Sequence, residues 1–220
     1  MKRDLDFCNL IFSKEDKFIN KEMNLLKKAY KINEDFFNNI TIPKFDIKLV
    51  YSRKELDKEW GSKNQDFVSA FAKDDNIVIL AYSIFDKESI WKKKHFFQAL
   101  IHEINHLFYQ EYRDDSYDPL WLSEGLATIL QCIYEKKTSK HKIKITYESL
   151  NQIFEDINQE SYKVFTMFTN FLLKSKGKEK LFLFIEELKN GFNKEESFQK
   201  VYNNDFNGLI QDANRYYKII

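Results

Sequence analysis

Ala99-Leu100-Ile101-His102-Glu103-Ile104-Asn105-His106-Leu107-Phe108 decides how the rest of this 220-residue chain is read. It sets a His-Glu-x-x-His pattern inside an apolar, helix-forming segment. On an α-helix, residues four apart lie almost one above the other, so His102 and His106 share a face and can grip one metal ion. Glu103 is turned about 100° from His102, which aims its carboxylate beside such an ion, where a water would sit. The competing reading is a helix whose two histidines are surface or core residues. A third ligand decides between them, because structural zinc sites close with four protein ligands and catalytic ones keep three and an open position.

The search for that ligand runs downstream. The spacing predicts that the central helix covers about residues 92–111, followed by the short polar segment Arg113-Asp114-Asp115-Ser116-Tyr117-Asp118-Pro119. Asp118 suits an N-cap and Pro119 a first helical position, so a second helix is expected from Pro119 to about Glu135, folded back on the first. Glu124 then lies about 7.5 Å along this helix, level with His106 in an antiparallel pair. Gly125 and Ala127 are small enough to let two backbones approach closely. Leu120, Trp121, Leu122, Leu126, Ile129 and Leu130 surround Glu124 with apolar side chains. A carboxylate in such company requires a cation. A solvent-facing Glu124 is the alternative.

Upstream, apolar residues at Phe18, Ile19, Leu25, Leu26, Tyr30 and Phe36-Phe37 predict one amphipathic helix over 14–39, ended before Pro43. Alternation over Phe45–Tyr51 predicts a strand, and Arg53–Trp60 a short helix closed by Gly61. Phe67–Ala72 and Ile77–Tyr82, joined by Lys73-Asp74-Asp75-Asn76, predict a hairpin in a small mixed sheet with one strand at an edge. A short helix or loop is expected near Asp86–Ile90. Beyond residue 140, helices are expected over Tyr147–Ile157, Ser161–Lys174, Lys178–Lys189, Glu195–Tyr202 and Asn207–Tyr217, with Gly177 and Gly191 as stops.

Composition narrows the partners. Lysine and arginine number 35 against 34 acidic residues, for a net charge of +1. That balance gives no electrostatic case for nucleic acid or an anionic membrane as the main partner. No apolar run is long enough to span a bilayer. The N-terminal Met1-Lys2-Arg3-Asp4-Leu5-Asp6 lacks a secretory pattern. Cys8 and Cys132 are far apart and read as free thiols, so a cytoplasmic protein is expected. His95 and His141 have no ligand spacing and read as surface residues. Lys92-Lys93-Lys94 reads as a solvated helix start, and Lys136, Lys137 and Lys140 as cations closing the second helix.

The His-Glu-x-x-His pattern matches the zinc metalloprotease signature. Followed by Trp121-Leu122-Ser123-Glu124-Gly125-Leu126-Ala127, it resembles the gluzincin metallopeptidases, in particular the small peptidase MA-like proteins with their Trp-Leu-x-Glu-Gly-x-Ala segment. The stretch from Tyr162 to Leu172, with Gly177 and Leu181, is similar to that family's tyrosine-rich helix. The resemblance implies an α+β, zincin-like fold: one domain over 1–220, with an N-terminal helix (1–40), a small mixed β-sheet lobe carrying the active-site helix (41–113) and a helical lobe (114–220). It implies one Zn2+ held by His102, His106 and Glu124, Glu103 as general base, and a peptide or protein substrate. It offers Tyr162 as donor to the oxyanion, against the competing reading of a core tyrosine. It also implies a substrate strand at Val68, Ala70 and Ala72. The aminopeptidase relatives' Gly-x-Met-Glu-Asn box is absent, and Ala72 stands near its glutamate position, so an aminopeptidase is not expected. Thr128 stands where some gluzincins place an Asp one turn past the third ligand. A zinc-containing peptide- or protein-binding module of the same fold, without catalysis, is the alternative from another functional class.

Overall fold

Phe45, Ile47 and Leu49 are buried while Asp46 and Lys48 are partly exposed, the alternation that a strand with one covered face requires. The computed structural model describes residues 1–73, 75–114, 116, 118–132, 143–153 and 156–219. They divide into two compact units, Met1–Phe108 and Tyr109–Ile220. Together they make an α+β protein with one small mixed sheet and, among the described residues, nine helices.

The first unit holds the sheet. Its strands are β1 (Lys2–Asp4), β2 (Cys8–Ile11), β3 (Phe45–Val50), β4 (Ala70–Lys73) and β5 (Asn76–Leu80), in the order β1-β2-β3-β5-β4. The central pairs β2–β3 and β3–β5 are parallel, and both edges are antiparallel. Leu10, Ile47 and Ile77 lie in register across it, all fully buried. Parallel neighbours need crossovers, and α1 (Ile19–Phe36) and α2 (Arg53–Trp60) lie within those connections. The Ser52 hydroxyl caps α2 by accepting from the Glu55 N–H at 3.2 Å, and Gly61 closes it at φ 99°.

The N-terminal segment 1–40, expected as a helix, opens with the strands β1 and β2. The α1 helix starts at Ile19 rather than 14, since Asp16 Oδ1 accepts from the Phe18 N–H and holds a turn. Of the short helix or loop expected near Asp86–Ile90 the structure has the loop; the chain turns there and reaches α3 (Phe96–Arg113) through a 3-10 turn at Lys93–His95. The hairpin stands as expected between β4 and β5, with Asp74 of its turn outside the described residues.

The second unit is helical. It contains α4 (Leu120–Cys132), α5 (Tyr147–Leu150), α6 (Gln159–Phe171), α7 (Lys178–Lys189), α8 (Lys194–Tyr202) and α9 (Phe206–Tyr216). Trp121 is buried in an aromatic cluster, with its ring 4.9 Å from Phe168 and 6.2 Å from Phe198. Phe198 stacks on Phe206 at 4.8 Å. Aromatic pairs at these separations contribute about 0.5–1.5 kcal/mol each beyond area burial, so they anchor α4 firmly. The helix expected over Tyr147–Ile157 is a single turn, capped by Thr146. Gly177 and Gly191, both at positive φ, end their helices as expected. The expected end of α4 near Glu135, with Lys136, Lys137, Lys140 and His141, lies outside the described residues. Among the described residues, no helix is long and apolar enough to cross a membrane. Cys8 is a buried free thiol, and burial pushes it up to about 12.

One buried acid marks the start of α1. Glu22 is 2% exposed, and its Oε1 accepts from the Tyr82 N–H at 2.7 Å. Burial pushes its carboxyl up to about 7; the Tyr82 bond works the other way, and Asp16 adds to the rise. A folded pKa above the unfolded one gives stability that is complete below 4.5 and lost as pH rises through about 7. Glu22→Gln keeps the acceptor oxygen and should remove that decline. Melting curves across this window should converge at low pH and separate above it, with the variant the more stable. Parallel curves would contradict the assignment.

Candidate metal centre

The α3 helix carries Phe96-Phe97-Gln98-Ala99-Leu100-Ile101-His102-Glu103-Ile104-Asn105-His106, and it is buried at Phe96, Leu100, Ile101 and from Glu103 to His106. Phe96, Ile101, Ile104 and Phe108 are each 0% exposed. Within the first unit, Phe108 packs against Tyr30 at 5.2 Å and Phe37 at 5.7 Å between ring centroids, tying α3 to α1 and the segment that ends it. The four-residue spacing does what the sequence predicts. The His102 and His106 rings lie 4.9 Å apart at 80°, on one side of the helix. His106 and Glu103 are buried, and His102 is half-buried.

In the second unit, α4 carries Glu124, itself buried. The start of α4 differs from the expectation: the Pro119 carbonyl accepts from the Leu122 and Ser123 N–H groups, so Pro119 takes the cap position assigned to Asp118. Gly125 also has another reason to be small. A Cβ there would run into Thr169 Oγ1 and lie 2.8 Å from the Phe165 carbonyl, so the close approach it permits is to α6. Thr169 Oγ1 donates to the Trp121 carbonyl at 3.3 Å, reinforcing the same contact.

One nitrogen from each of His102 and His106 and one carboxylate oxygen of Glu124 all lie within 4.8 Å of one another, a group that could hold a metal ion. Tetrahedral coordination at about 2.1 Å sets ligand atoms about 3.4 Å apart, a separation that falls within that limit. Two imidazoles and a carboxylate are the donor set of an open zinc site rather than a closed thiolate one.

Comparison with protein families matches residues 63–218 to the peptidase MA superfamily. The chain belongs to that superfamily. Comparison with curated proteins finds no match. The peptidase MA match takes in β4, β5 and all of α3 to α9, and leaves out β1, β2, α1, β3 and α2.

The remaining site residues are placed as follows. Tyr162 lies in the first turns of α6, half-buried, on a helix that packs against α4. Ala70 and Ala72 lie in β4, an edge strand. The Leu80 N–H donates to the Ser69 carbonyl at 3.0 Å, so Ser69, Phe71 and Lys73 direct their backbone groups at β5 while Ala70 and Ala72 direct theirs outward. Val68 precedes the strand, and its carbonyl accepts from the Arg53 guanidinium. His95 is half-buried, and its Nδ1 accepts from the Lys92 N–H. Sequence reasoning missed Asn105 and its partner Asn33. The available signal was an amide at position 33 on the face of α1 that otherwise buries Leu26 and Ala29.

The Gly125 contact yields a direct test. Gly125→Ala should lower stability by about 1–3 kcal/mol, because the Phe165 carbonyl is backbone and yields little. An unchanged thermal midpoint would show that α4 and α6 are not so tightly joined.

Proposed function

We propose that this chain hydrolyses peptide bonds as a gluzincin-type zinc peptidase. The observation that carries the proposal is the convergence of His102, His106 and Glu124 in a peptidase MA chain, with Glu103 next to the first ligand. His102, His106 and Glu124 would hold the ion. When bound, zinc polarises a carbonyl and makes water acidic enough to lose a proton near neutral pH.

The chain's own residues account for the rest of the reaction. Glu103 takes the proton from the attacking water at its carboxylate and passes it to the departing amine nitrogen. Its burial shields that transfer from bulk water. Tyr162 donates its phenol hydrogen to the carbonyl oxygen as negative charge grows there, adding a hydrogen bond without a further charge. The outward backbone groups of Ala70 and Ala72 bind an extended peptide by strand addition, with Val68 at the entry to that edge. The β4 strand reads Ala70-Phe71-Ala72-Lys73, with no carboxylate to hold a free α-amine, which favours cleavage within chains over trimming of N-termini.

Digestion of casein by the zinc-loaded protein tests the proposal. Wild type should cleave it, and Glu103→Gln should keep its zinc and lose about 10²–10⁴-fold in rate. Full zinc occupancy with neither casein nor a broad peptide library cleaved would instead establish a binding module.

A further inference from the structure

Two amides at the back of α3 take no part in the chemistry above. Asn33 on α1 and Asn105 on α3 are both buried, at 0% exposure. Asn33 Nδ2 donates to the Ala29 carbonyl at 3.0 Å on its own helix and to the Ile101 carbonyl at 3.1 Å on α3. Asn33 Oδ1 accepts from Asn105 Nδ2 at 2.9 Å. Ile101 and Asn105 are four apart, so one side chain of α1 holds a single turn of α3 at two points. That turn includes His102 and Glu103 and leads directly into His106.

Stability alone does not account for the pair. Asn105 Oδ1 has no hydrogen-bond partner among the described residues, and an unsatisfied buried acceptor costs about 1–3 kcal/mol. Two leucines would carry no such cost. Apolar burial turns Phe96, Leu100, Ile104 and Phe108 inward, but the hydrophobic effect is not directional and sets the rotation of α3 only coarsely. Hydrogen bonds are directional. At a radius of about 6 Å, ten degrees of rotation moves an imidazole nitrogen by about 1 Å. Metal–ligand distances tolerate only about 0.2 Å.

We propose that Asn33 and Asn105 are positioning residues that fix the rotation of α3, and thereby the aim of His102 and His106 at the metal. Asn33 lies outside the span matched to the peptidase MA superfamily, so the N-terminal part of this chain supplies half of the device. The inference rests on the zinc reading of the site.

The test is zinc affinity by chelator competition, together with the visible absorption of the cobalt-loaded protein and the thermal midpoint of each variant. Replacing both amides, Asn33→Leu with Asn105→Leu, removes the directional bonds and strands no polar group. This double variant should keep its melting temperature, lose about 10–100-fold in zinc affinity, and show an altered cobalt spectrum. Asn33→Ala, on a helix that carries no ligand, should shift affinity in the same direction should the double variant fail to fold. Wild-type affinity and an unchanged cobalt spectrum in folded variants would overturn the inference and leave the zinc site standing. Failure of the wild type itself to bind zinc would remove the zinc reading and this inference with it.

Discussion

The orientation of α3 about its own axis is the constraint on which the site depends. Helical geometry puts His102 and His106 on one side, but it does not say where that side faces. Burying an apolar stripe settles the matter only to the width of the stripe. The α3 helix is buried at Phe96, Ile101, Ile104, Leu107 and Phe108, which at 100° per residue share one arc of about 140°. Burial therefore sets the facing of α3 to within that broad arc, and the Asn33 amide, bonded to both Ile101 and Asn105, sharpens it.

A second constraint is the burial of charge. Glu103 and Glu124 sit at 8% and 5% exposure on helices made chiefly of apolar residues. An isolated carboxylate taken out of water costs far more than any single packing contact returns, so each needs a cation or a set of donors. The rigid mounting of α4 makes the position of Glu124 definite. Trp121 is locked among Phe168, Phe198 and Phe206, and Gly125 lies against the α6 backbone, so the carboxylate between them has little freedom to drift. Membership of the peptidase MA superfamily agrees with a chain that commits this much structure to two histidines and two acids.

Much of this was legible in the sequence, for reasons that can be stated residue by residue. The His-Glu-x-x-His spacing is short-range and periodic, so the shared face of His102 and His106 follows from helix geometry alone. The helix over Arg53–Trp60 was readable because Ser52 and Gly61 are strong local caps, and the hairpin because alternation and turn residues agree. The N-terminal strands were not readable. β1 is exposed along its length, and β2 joins the rest of the sheet by pairing with β3, more than thirty residues away. The Asn33–Asn105 bond spans 72 residues, and the one local sign, an amide on the buried face of α1, does not name its partner. Gly125 was read as small to let a backbone approach, and the α6 backbone it lies against was not readable, because sequence spacing does not name the neighbour.

Zinc-edge X-ray absorption of the protein as purified addresses the central claim most directly. The account predicts one zinc per chain, coordinated by two imidazoles and oxygen donors with no sulfur. A first shell containing sulfur, from Cys8 or Cys132, or a spectrum lacking the imidazole signature, would contradict it.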